Sequence, residues 1–156
     1  MIPIRVIAIP TAVAEIVRAT NQSPRYKHPT YIEVAAGYGP SRHCLQTFKK
    51  GQEMRTLFTY DAFEGVDVLP LPGPIFIHTE ECRRYPEDSG YPEDLRQYSS
   101  VLDAYGAHRR LIAEVLVDDG SQPVALEDLL RRPGVEYVHV RDKSAGCYDF
   151  RVEIAR

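Results

Sequence analysis

A chain of 156 residues, 44% hydrophobic and 26% charged, has the make-up of a folded protein and can bury a core without staples. Its formal charge is −3, and pairs such as Lys49-Lys50 and Arg131-Arg132 lie among acids, so the basic footprint of a nucleic-acid binder is missing. No stretch approaches the ~20 apolar residues of a membrane span.

Taken from the start, Ile2 to Ile9 reads as a strand from its β-branched content. Pro10-Thr11 punctuates, and Thr11 can cap a short helix in which Val13, Ile16 and Val17 share a face. Asn21 to Pro29 is a polar loop. Tyr31 to Ala36 is a short strand, ended by a Gly37-Tyr-Gly-Pro40 turn. Met54 to Tyr60 is a strand with Gly51 ahead of it, where a turn requires positive φ. Pro70-Leu-Pro-Gly-Pro74 is expected to lie outside regular structure, with a strand following directly from Ile75 to His78. Tyr85-Pro-Glu-Asp88 and Tyr91-Pro-Glu-Asp94 read as two turns, the second opening a short helix through Leu95. They lack the Gly-containing spacing of a calcium loop.

Ser100 to Tyr105 and Arg110 to Val117 read as strands, although Leu111, Ile112, Val115 and Leu116 also fit a helix face. Ala125 to Arg132 is a helix: Pro123 stands at its start, Leu126, Leu129 and Leu130 share a face, and Pro133-Gly134 stops it. Several strands with about three short helices predict a single α+β domain over residues 1–156, its sheet largely antiparallel.

The chain closes with a predicted β-hairpin over 135–154. Alternation puts Val138 and Val140 on one face and Tyr137, His139 and Arg141 on the other. On the returning strand it sets Tyr148, Phe150, Val152 and Ile154 against Cys147, Asp149, Arg151 and Glu153. Two registers keep the charges out of the core. In one, His139 faces Asp149; in the other it faces Cys147.

This polar face supports several chemistries. Arg42, Arg141 and Arg151, with His139, can meet a carboxylate or phosphate, because arginine's planar fork pairs both oxygens. The preferred reading is non-catalytic binding of a small anionic ligand at the hairpin. The alternative is an enzyme using Cys147 as nucleophile, His139 as base and Asp149 as orienting group. A third is a protein-interaction module using a sheet edge or the tyrosine-rich loop. For a metal, His78, Cys82, His139 and Cys147 are the candidate donors, but no close pair marks a site, so no metal or cofactor is expected. Half-exposed ion pairs across the sheet need no function at all.

The three cysteines are widely spaced and odd in number, which argues for a reducing compartment. Met1 to Pro10 lacks the layout of a secretory signal. The expected location is a cytoplasm, taken as bacterial.

The ordered set Tyr137-Val-His139, Gly146-Cys147-Tyr148 and Arg151-Val152, with Gly73-Pro-Ile-Phe76 upstream, resembles the domain of unknown function 1203 family. Pro40, Arg42, Leu45 and Gly51 fall on that family's earlier motif, and Ala104-Tyr105 and Asp119-Gly120 also fit. The resemblance spans residues 40–156. Ser41 stands where the family usually has Cys, Arg141 where a second His is expected, Asp142 where Asn is, Gln52 in place of an acid, and Asp149 where a small residue is usual. The resemblance implies a shared fold and no assigned activity.

Overall fold

A computed structural model describes residues 1–66 and 69–156. Among the described residues, eight strands form two antiparallel sheets. The larger orders β1 (Ile4–Ile7), β8 (Tyr148–Ile154), β7 (Tyr137–Asp142), β5 (Ser100–Gly106) and β6 (Arg110–Val117) as β1-β8-β7-β5-β6. The smaller orders β2 (Tyr31–Val34), β3 (Met54–Asp61) and β4 (Pro72–His78) as β2-β3-β4. Among the described residues two α-helices accompany them, α1 (Thr11–Thr20) and α2 (Gln122–Leu130). The class is therefore α+β with mostly antiparallel pairing, as the alternation along the chain predicts. The third expected helix, through Leu95, forms only as a 3-10 turn, Glu93–Gln97.

Two apolar clusters organise these layers. One face of the larger sheet contributes Leu102, Val138, Val140, Phe150 and Val152, all fully buried against Leu126, Leu129 and Leu130 of α2. The second cluster joins Phe58, Ile75 and Ile77 of the smaller sheet to Ala14 and Val17 of α1. Each buried leucine or phenylalanine side chain removed from water contributes about 1.5–3 kcal/mol. Arg110 to Val117, ambiguous in sequence, is a strand: it pairs with β5 along its whole length.

Three local expectations change. Ile16 is exposed rather than packed with Val17, and Ala14 takes the buried place. Thr11 is the first helical residue behind Pro10 and makes no cap bond; its hydroxyl instead reaches His43. Pro72 and Pro74, expected outside regular structure, begin β4 and pair with Asp61 and Thr59. β4 is an edge strand, where a missing N–H can face away from the ladder at no cost.

The hairpin register also differs from both expected ones. Val138 faces Val152, His139 faces Arg151 and Val140 faces Phe150, but Arg141 faces Tyr148. One extra residue of β8, Asp149, lies in that step, which is a β-bulge. The bulge breaks the alternation. Phe150 lies in the α2 cluster while Tyr148, two residues earlier, packs on the cluster of the smaller sheet.

Gly106 marks the tightest backbone approach. A Cβ there would stand 2.6 Å from the carbonyl oxygen of Gly134 and 2.8 Å from Ile112 Cδ1. Gly106→Ala is expected to lower stability by about 1–3 kcal/mol through forced displacement of backbone, measured by the midpoint of chemical denaturation.

Candidate functional site

The residues singled out in the sequence fall into two places joined by Arg42. The first place is a cavity of about 470 Å³ between the sheets, whose lining includes Tyr60, Phe63, Tyr105, His139, Arg141 and Tyr148. Apolar Leu71 and Leu111 also line it, and so does Cys147. The bulge turns Tyr148 into this wall, where its ring lies 4.8 Å from that of His139. Phe63 and Tyr105 flank the same imidazole at 4.7 and 5.3 Å.

His139 is buried, and its Nε2 has no hydrogen-bond partner among the described residues. Burial first, then the charges of Arg151 and Arg141, pull its pKa down to about 3. A neutral imidazole in an aromatic box follows. Arg141 donates through Nε to Asp103 at 2.6 Å and through Nη2 to Glu114 at 3.4 Å. Arg151 pairs with Glu153 at 2.9 Å and lies 4.2 Å over the Tyr137 ring, so its charge is spent away from the cavity.

Cys147, His139 and Asp149 are not assembled as a catalytic set. The one polar contact of the Cys147 sulfur among the described residues is a long one, 3.9 Å to Ala145 O. Burial raises its pKa, with Arg42 opposing. The bulge sends Asp149 away from His139 and onto Arg42, the two side chains forming a buried ion pair at 3.0 Å. Burial outweighs Arg42 and pushes Asp149 up to about 7. Arg42 also donates to Tyr148 O at 3.0 Å and Pro40 O at 2.5 Å. Its place beside the hairpin fits the expectation, but its hydrogen-bonding capacity is used by protein groups.

The second place was not visible as a site in the sequence. It begins directly after Arg42 in the chain, at His43 and Cys44. Cys44 Sγ is 3.3 Å from His78 Nδ1, and His43 Nδ1 is 3.2 Å from Cys82 Sγ. Donor atoms of Cys44, His78 and Cys82 all lie within 4.8 Å of one another. Of the four donors considered for a metal, His78 and Cys82 thus meet, while His139 and Cys147 lie at the cavity instead. Arg18 of α1 donates to Cys82 Sγ at 3.5 Å and to His78 O at 3.0 Å. Hydrogen bonding from Cys44, against burial, and then from His43, His78 and Arg18 holds the Cys82 thiol far below its ordinary range. Cys44 moves the opposite way, through the same bond to Cys82 and through burial. The signals were slight: His43 next to Cys44, and His78 four residues before Cys82 at the end of a strand.

The chain matches the family described as protein of unknown function (DUF1203) over residues 38–154, and it belongs to that family. Comparison with curated proteins and with solved structures gives no match. No helix among the described residues is long and apolar enough to cross a membrane.

Two outcomes follow from this geometry. Arg42→Ala leaves the buried Asp149 carboxyl without its partner and is expected to cost about 3–5 kcal/mol, read from denaturation midpoints. For His139, the folded pKa lies below the unfolded one, so its contribution is complete above about 6.5 and is lost as pH falls towards 3. His139→Phe, which keeps an aromatic ring in the box, is expected to shed that acid loss: the stability of the native chain should fall relative to the variant across this window, and the His139 proton resonances should not titrate above it.

Proposed function

We propose that the protein is a non-catalytic binder of small anionic ligands, and that the ligand is an aromatic carboxylate held in the cavity between the sheets. The observation that carries this is the state of Arg141. Its bond to Asp103 is short and buried, but its second partner, Glu114, is 56% exposed and 3.4 Å away. A ligand carboxylate can take the place of Glu114 on the Nη atoms while Asp103 keeps the guanidinium oriented. A charge-assisted bond of this kind contributes about 1.5–3 kcal/mol.

The walls support the rest. A volume of about 470 Å³ falls in the usual range for small-molecule sites, roughly 300–1,000 Å³. Tyr60, Phe63, Tyr105 and Tyr148 offer ring faces and edges to a planar ligand. The neutral imidazole of His139 keeps that wall uncharged. Arg42 and Arg151, expected to share in anion binding, are engaged elsewhere, so Arg141 carries the charge recognition.

Thermal-shift titration with benzoate, phenylacetate and indole-3-acetate, each beside its neutral alcohol, tests the reading. The acids are expected to raise the melting temperature, by the equivalent of ~2.7 kcal/mol at a hundred times the dissociation constant, and the alcohols are not. Arg141→Ala should abolish the shift, and Glu114→Gln should strengthen binding by removing the competing carboxylate. Equal stabilisation by acids and alcohols, or a shift that survives in Arg141→Ala, would overturn it.

A further inference from the structure

We infer that Cys44, Cys82 and His78, completed by His43, form a binding site for a zinc ion, separate from the cavity and independent of what the cavity binds. The first ground is the donor set. Two sulfurs and two imidazole nitrogens are the ligands that tetrahedral zinc takes, with Zn–S near 2.3 Å and Zn–N near 2.0–2.1 Å. Those bond lengths put a sulfur and a nitrogen ligand ~3.5–3.6 Å apart around a tetrahedron. The Cys44–His78 separation of 3.3 Å needs to open only slightly, and the three donors of Cys44, His78 and Cys82 already lie within 4.8 Å of one another. His43, 3.2 Å from Cys82 Sγ but outside that group of three, has to swing inward to become the fourth ligand. The sulfur–imidazole hydrogen bonds already hold these atoms together.

The second ground is the outer layer. Each imidazole turns Nδ1 to a sulfur and Nε2 to a separate oxygen. His78 Nε2 donates to Glu53 Oε2 at 3.1 Å. Glu53 is itself pinned, its other oxygen accepting from the backbone N–H of Lys49 at 2.7 Å. His43 Nε2 lies 3.0 Å from Thr11 Oγ1; a hydroxyl donates and accepts, so it serves either tautomer. With Nε2–H committed outward, the Nδ1 lone pair is left for a metal. A carboxylate or hydroxyl behind each ligating imidazole is the usual support of a metal site, and losing one typically costs 10–100-fold in affinity. Arg18 supplies a further N–H to the Cys82 sulfur.

The third ground is access. His43, Cys44 and His78 are buried, while Cys82 is half-exposed and lines two clefts, one beside α1 and one beside Lys49 and Glu53. An ion can enter past Cys82 and be enclosed by the other three. Two thiolates balance the two charges of the ion, so the filled site buries no net charge. Sulfur ligands with imidazole favour zinc over calcium or magnesium, which take oxygen.

The test uses the full chain, reduced and stripped with chelator, then titrated with zinc or with cobalt(II) as its visible reporter. Native protein is expected to take up one ion per chain, with the intense visible bands of tetrahedral cobalt and thiolate-to-cobalt charge transfer. Cys44→Ser, Cys82→Ser and His78→Ala should lose the spectrum, and Cys147→Ser should keep it. Glu53→Gln, which leaves every ligand in place, should weaken cobalt binding by about 10–100-fold; this variant decides the matter if a cysteine variant fails to fold. Absence of uptake by the reduced native chain, a spectrum unchanged in Cys82→Ser, or one lost with Cys147 would overturn the assignment.

Discussion

Arg42 is the residue on which the arrangement turns. Its backbone N–H donates to Phe76 O on β4 and its carbonyl accepts from Ile9 ahead of α1. Its side chain crosses to β8, pairs with Asp149 and satisfies Tyr148 O. One buried cation therefore ties the smaller sheet, the start of α1 and the bulge of the larger sheet together. A buried guanidinium is tolerable only when nearly all its donors are met. That demand fixes the loop that carries His43 and Cys44 on one side and the turn of Tyr148 into the cavity on the other. The cavity wall and the sulfur–imidazole cluster, far apart in chemistry, thus share one anchor.

The two places also differ in how their charges are managed. In the cavity, the charge of Arg141 is largely matched by Asp103 and Glu114, and the imidazole of His139 is neutral. At the cluster, the sulfurs draw donors from three directions: α1, the loop after Arg42 and the end of β4. Strand and helix ends suit this, because residues there leave the regular ladder and can converge.

Much of the scaffold is legible in the chain. β-Branched content and alternation find all eight strand regions or their cores, and the leucine spacing with Pro123 and Pro133-Gly134 finds α2, because these signals are local. The proline-bearing start of β4 was misread because its edge position is a tertiary fact. The hairpin and the chemical density of one of its faces are legible, and the fold brings Arg42 beside it. Its register is not legible, since a bulge leaves the apolar pattern of Phe150, Val152 and Ile154 intact and changes only what precedes it. Asp149 was grouped with His139 for that reason. The cluster escaped because its members lie in two distant segments, His43-Cys44 and His78 to Cys82, and the spacing within each is only a slight sign of a meeting made by folding.

The bulge at Asp149 has a further consequence for how such a hairpin can vary in length. Because Tyr148 and Asp149 together oppose Arg141, the strand holds one residue that the ladder does not require. Removing it would preserve the pairing of Phe150, Val152 and Ile154 with their neighbours and keep the core face intact. It would also take away the anchor's counter-charge, while Tyr148, then joined directly to Phe150, would keep its place opposite Arg141. A single deletion here thus leaves the ladder in register and the aromatic wall in place, and falls entirely on the buried guanidinium of Arg42. Loss of this residue is a change that relatives could make only by supplying Arg42 with another acceptor or replacing it as well.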